Sequence, residues 1–145
     1  AGRCHVDVVR YLVTTAGADV SRADIDGATA FIAACVKGHL PVVKLLADLG
    51  ADPHRTSTNG WTACMCASND GHLPVVQHLV DVLGVHPEKK NQAGKTALDY
   101  AKGKGHKDVV KFLLAKRVAR ARAAKAALTS SGACHVTSPL FGLWK

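Results

Sequence analysis

Four histidines, His5, His39, His72 and His106, step along the chain at intervals of 34, 33 and 34 residues. Each opens the same phrase: Cys4-His5-Val6-Asp7-Val8-Val9, Gly38-His39-Leu40-Pro41-Val42-Val43, Gly71-His72-Leu73-Pro74-Val75-Val76 and Gly105-His106-Lys107-Asp108-Val109-Val110. A second phrase keeps the period, as Gly27-Ala28-Thr29-Ala30, Gly60-Trp61-Thr62-Ala63 and Gly94-Lys95-Thr96-Ala97. A third closes three of the segments, as Gly17-Ala18-Asp19, Gly50-Ala51-Asp52 and Gly84-Val85-His86. Three phrases in fixed order at one period restrict the chain to a stack of like units. Each unit then buries its apolar side on the next.

Within a unit the apolar residues follow a helical spacing. Val42, Val43, Leu45 and Leu46 make one face, repeated at Val75, Val76 and Leu79 and at Val109, Val110, Phe112, Leu113 and Leu114. The glycines at 38, 71 and 105 suit a sharp helix–helix turn. Asp7, Pro41, Pro74 and Asp108 stand where a second helix starts, a place that favours proline or an acid. One-residue insertions before Gly17 and Gly84 are expected to lengthen two helix ends. With hydrophobic residues at 48% and aromatics at 5%, the core is expected to be aliphatic and rich in alanine, and disorder as a class is excluded. Uncharged stretches such as 128–143 are too rich in Ser, Thr, Gly and Pro to span a membrane.

These phrases resemble the ankyrin repeat over residues 4–115. The resemblance implies an all-α solenoid of stacked helix-turn-helix units joined by short finger turns. The expected divisions are a partial repeat at 1–22, repeats at 23–55, 56–89 and 90–115, a basic helical extension at 116–128 and an irregular tail at 129–145. There are departures. The family's Thr-Pro-Leu-His reads Thr29-Ala30-Phe31-Ile32, Thr62-Ala63-Cys64-Met65 and Thr96-Ala97-Leu98-Asp99, so its Pro and His are missing throughout. Cys4 replaces the glycine of the first phrase. The chain lacks an initiator Met and opens in mid-pattern, so it is expected to be a piece of something longer.

Catalysis has no support in the residues. The four repeated histidines are expected to be structural, bonding neighbouring loop carbonyls, and the other four share no ligand-like spacing. Neither metal nor cofactor is expected. Five cysteines are an odd number, so thiols in a reducing intracellular compartment fit better than disulfides. Cys35 and Cys64 read as small buried hydrophobes. Cys66 with Asp70 and His72 resembles a nucleophile cluster only on paper, since a solenoid has no deep pocket to tune a thiolate.

Binding is the better expectation. Ankyrin proteins take partners along the concave face made by fingers and first helices. Carried over by position, the contact residues are Ile25, Asp26, Ala28, Val36 and Lys37, then Thr58, Asn59, Trp61, Asn69 and Asp70, then Gln92, Ala93, Lys95, Gly103 and Lys104. Trp61 either anchors an interface or packs flat on the neighbouring finger. Arg22, Arg55 and Lys89 form a ladder of cations at one repeat position, read as a solvated edge or an anion-binding rail. Beyond the repeats, Lys116, Arg117, Arg120, Arg122 and Lys125 spread around an alanine-rich helix without the bulky apolar face of a membrane binder. The end, Pro139-Leu140-Phe141-Gly142-Leu143-Trp144-Lys145, is expected to cover the last repeat or dock on a partner.

The net charge of +8 is unevenly held: residues 1–88 carry 6 Lys+Arg against 9 Asp+Glu, and 89–145 carry 13 against 2. The expected function is a non-enzymatic protein–protein interaction module or scaffold. One alternative is an accessory subunit of a nucleic-acid-containing assembly, its basic C-terminal stretch on phosphates. Another is a regulatory segment of a larger enzyme.

Overall fold

A computed structural model describes the backbone of residues 2–143 and the side chains of residues 6–126. Seven helices run α1 Gly2–Thr14, α2 Ala30–Lys37, α3 Leu40–Asp48, α4 Ala63–Asn69, α5 Leu73–Asp81, α6 Ala97–Lys104 and α7 Lys107–Leu143. The chain divides into two compact bodies, residues 1–111 and 112–145.

In the first body the first helices of successive repeats pack side by side, α2 on α4 and α4 on α6. The second helices form a parallel layer, α1 on α3 and α3 on α5. Small residues on the first helices let them approach closely: Ala34, Cys35, Ala63, Cys64, Ala67, Ala97 and Ala101 are all buried. Phe31, Ile32 and Met65 fill the remaining space against Val42, Val43, Leu46, Val75, Val76 and Leu79. Aliphatic packing of this kind replaces a large aromatic core, as the composition predicts.

The repeated threonine starts each first helix. Thr29, Thr62 and Thr96 have extended backbones, and their hydroxyls accept the amides of Ile32, Met65 and Asp99. That bond satisfies one of the amides a helix start leaves without a partner. The family's missing proline and histidine are therefore not needed for the helix to begin. Second helices α3 and α5 carry Pro41 and Pro74 in the first turn, where an N–H is not required.

The four-histidine pattern acquires a geometry. Nε2 of His72 lies 2.9 Å from the Val36 carbonyl, and Nε2 of His106 lies 2.9 Å from the Asn69 carbonyl. Each ring thus reaches back to the first helix of the repeat before it. It lies where a side chain at Gly38 or Gly71 would stand: a Cβ there would come 2.5 Å from Nδ1 of His72 or His106. Both glycines also have positive φ, 71° and 78°. Glycine is required twice at each site, by the backbone and by the ring.

Two expectations are corrected. The insertion before Gly84 does not lengthen a helix: α5 spans nine residues, as α3 does. The extra residue enters the turn. Val85 N donates to Leu79 O six positions back, where Ala51 N donates to Leu46 O five back, and Val82 is left 67% exposed. The first insertion behaves alike, with Ala18 N bonded to Leu12 O. A turn absorbs a residue at little cost, whereas one more helical residue would rotate the next segment by about 100°.

In the second body, residues 112–143 continue α7. The irregular tail expected over 129–145 is thus helical as far as Leu143. Nucleation is the costly step of helix formation, and the alanine-rich stretch has already accomplished it. Ser, Thr and Gly then lengthen the helix where they would not start one. Lys116 Nζ lies 5.4 Å from the ring centre of Phe112. What the apolar end at 139–145 covers lies outside the described residues.

Candidate functional site

The three fingers share one construction. Asp24 N donates to Ala28 O, Ser57 N to Trp61 O and Asn91 N to Lys95 O, each closing a five-residue hairpin. The same residue's side chain accepts the returning amide: Asp24 Oδ1 from Ala28, Ser57 Oγ from Trp61, Asn91 Oδ1 from Lys95. Short polar side chains that bond their own backbone suit such turns. Successive fingers are joined as well, with Thr58 N donating to Asp26 O at 3.0 Å and Gln92 N to Asn59 O at 3.2 Å. Thr58 Oγ1 adds a second bond to Asp26 O, and Gln92 Nε2 donates to Thr58 O.

Trp61 leaves its finger half-buried and lies over Tyr100, with ring centres 4.3 Å apart and planes tilted by 34°. It therefore packs on the first helix of the next repeat. Lys95 Nζ stands 5.8 Å from the centre of the same Tyr100 ring, within cation–π range. Asn91 Nδ2 donates to Tyr100 Oη at 2.7 Å and fixes the phenol. A buried Asn thus both shapes the last finger and holds the ring on which Trp61 rests.

Beside this stack a groove of about 420 Å³ is lined by Asn69, Lys95, Asp99, Tyr100, Gly103 and Lys104. Asp99 completes a capping box: its Oδ2 accepts both the Thr96 amide and the Thr96 hydroxyl. The Thr96 amide, then the Thr96 hydroxyl, hold the Asp99 carboxyl below the usual carboxylate range. Asn69 Nδ2 donates to Asp70 Oδ1 at 2.9 Å. The wall therefore offers two lysines, an aromatic face and an ionised carboxylate already engaged by its own helix start.

Four residues expected at a binding face come together here, Asn69, Lys95, Gly103 and Lys104. Trp61 adjoins them through Tyr100, and Asp70 through Asn69. Asp26, Lys37 and Asn59 are exposed but do not line the groove. Nor does the cation ladder form part of it. Arg55 Nη1 donates to Ser21 O of the preceding repeat at 2.7 Å, and Arg22 and Lys89 are exposed. On α7, Arg117, Arg122 and Lys125 are exposed while Lys116 and Arg120 are half-buried.

Tyr100, Asn91 and Asp99 were not among the expected site residues. Thr96-x-x-Asp99 is a capping-box pattern that the sequence displays. Tyr100 had a fainter signal. Trp61 and Tyr100 hold the repeat positions that Ala28 and Cys66 hold one repeat earlier, so a large pair replaces a small one.

The thiols offer no rival chemistry. Burial pushes Cys64 up to about 12, and burial with Asp70 beside it pushes Cys66 up to about 11. Cys35 is raised further, again chiefly by burial. Thiols so held are poor nucleophiles at neutral pH. Among the described residues, no group of three or more His, Cys, Asp and Glu side chains is placed to hold a metal ion. Nor is any described helix long and apolar enough to cross a membrane.

A family model of ankyrin repeats matches the chain in three copies, over residues 1–57 and 49–123. No curated protein matches it.

Proposed function

This chain belongs to the ankyrin-repeat family, and on that basis we propose that it is a non-enzymatic scaffold whose fingers and first helices hold another protein. Ankyrin repeats are protein–protein interaction modules. The observation that carries the reading is the groove at Asn69, Lys95, Tyr100 and Lys104, flanked by half-buried Trp61. Asp26, Lys37, Asn59 and Asp70 extend the same surface. In this reading the protein works inside the cell, supported by Cys35, Cys64 and Cys66 standing as free buried thiols.

A photocrosslinking side chain placed at Lys104 or Asn59 tests this better than removal of Trp61, which would also disturb Tyr100. The same protein should be captured from both positions and not from Lys44 or Gln77, which are exposed on the second helices. Equal capture from the two faces would sink the reading.

A second reading rests on α7, where Arg117, Arg122 and Lys125 are exposed. Together with Lys116 and Arg120 they suit phosphates of an RNA or DNA within an assembly, and Arg22, Arg55 and Lys89 offer a further contact for an anion. Binding of this kind weakens steeply with salt, because displaced counterions drive it. No affinity for either nucleic acid at low salt would eliminate it.

A further inference from the structure

Gly103 is a groove residue that the protein's own packing does not explain. It lies in the last turn of α6, where glycine in place of alanine costs up to about 1 kcal/mol. Its φ is outside the left-handed region, and a Cβ built on it would meet no atom within 4 Å. Gly38 and Gly71 differ on both counts. Alanine would fit at 103 and strengthen the helix, so the bare backbone there serves something other than folding.

The surroundings of Gly103 carry more positive than negative charge. Lys95 and Lys104 line the groove, and Lys90 and Lys102 stand close enough to act on Asp99. The acids facing them are already engaged, Asp99 by Thr96 and Asp70 by Asn69. A helix docked here would be held off by its own side chains, since packed helix axes stay about 8–10 Å apart. An extended strand approaches bare backbone more closely.

We propose, resting on the reading that this groove holds a protein partner, that its occupant is an extended acidic segment of that partner. The segment's backbone passes Gly103, and its Asp or Glu carboxylates lie between Lys95 and Lys104. Tyr100 offers the intervening residue a flat apolar face.

The test uses the full chain, labelled for amide NMR, with a dodecapeptide of alternating glutamate and glycine as probe. Its glutamine and lysine counterparts and a short oligouridylate serve as comparisons. The glutamate peptide should shift the amides of Lys95, Tyr100, Gly103 and Lys104, and Lys104→Glu should weaken it about tenfold. Gly103→Leu should abolish binding. Gly103→Ala should raise Tm while weakening binding several-fold, so the test survives if the leucine variant does not fold. Equal binding of the glutamine peptide, shifts outside the groove, binding of oligouridylate alone, or unchanged affinity in both Gly103 variants would each overturn the proposal. If crosslinking at Lys104 captures a partner but the glutamate peptide shifts nothing, the acidic segment is wrong and the groove reading stands. If neither succeeds, both fall.

Discussion

His72 Nε2 donates to the carbonyl of Val36, 36 residues earlier, and His106 repeats the bond to Asn69, 37 residues earlier. A carbonyl only accepts, so Nε2 is the donor in each ring. The ring occupies the space that glycine leaves free at 38 and again at 71. The bond and the glycine are one device: the ring crosses to the preceding repeat only because no side chain stands in its way.

That coupling is measurable. Gly38→Ala should cost about 2–3 kcal/mol, combining left-handed strain with displacement of the ring. In a His72→Ala background the same change should cost about 1 kcal/mol, the strain alone. Urea titration of the four proteins gives the coupling energy. Strict additivity would show that the two residues do not meet.

Trp61 and Tyr100 should show a coupling of about 1 kcal/mol in a double-mutant cycle to alanine. Tyr100→Phe should cost a similar amount, about 1 kcal/mol, because it leaves the buried Asn91 amide without its acceptor. An undiminished Tm in Tyr100→Phe would show that Asn91 is satisfied elsewhere.

Folded protein should protect Cys35, Cys64 and Cys66 from a thiol reagent at pH 8, and urea should release all three. A variant with Cys4 and Cys134 changed to serine makes the count clear. The sign with pH follows from burial. The thiols ionise near 9.0 when unfolded but only near 11 for Cys66 and 12 for Cys64 when folded. Stability is unaffected by them below pH 9 and falls as pH rises from 9 through 11. A Tm constant across that window in the serine variant would contradict the burial.

Thr96→Ala should cost about 1 kcal/mol and return the Asp99 carboxyl toward its ordinary 3.8. Since folding lowers that value, the cap's contribution is present above pH 3.8 and is lost as pH falls through the lowered one. Carbon-13 titration of Asp99 in the two proteins checks it. Identical titration curves would mean that Thr96 does not hold the carboxylate.

The repeat register made the fold legible because its signals are local and recur. Thr29, Thr62 and Thr96 mark helix starts, and the spacing of Val75, Val76 and Leu79 marks a buried face. The histidine bonds were foreseeable in part: a residue repeated at one position faces the same neighbour each time, but the carbonyls that His72 and His106 reach, Val36 and Asn69, belong to first helices and not to loops. Trp61 was harder. Its position was evident, but its partner, Tyr100, lies 39 residues on and breaks with the small residues at that repeat position. The helix through 129–143 was missed for another reason. Ser, Gly and Pro in that stretch read as helix breakers, yet α7 runs on through them to Leu143.

Every stitch described between repeats joins neighbours: Arg55 to Ser21, Thr58 to Asp26, His72 to Val36, Gln92 to Thr58, His106 to Asn69. None of these bonds skips a repeat. Pulled from its two ends, such a molecule would not snap as a whole. It would surrender one repeat at a time, in a sawtooth of separate yields, with each interface carrying the load only until its own few bonds let go.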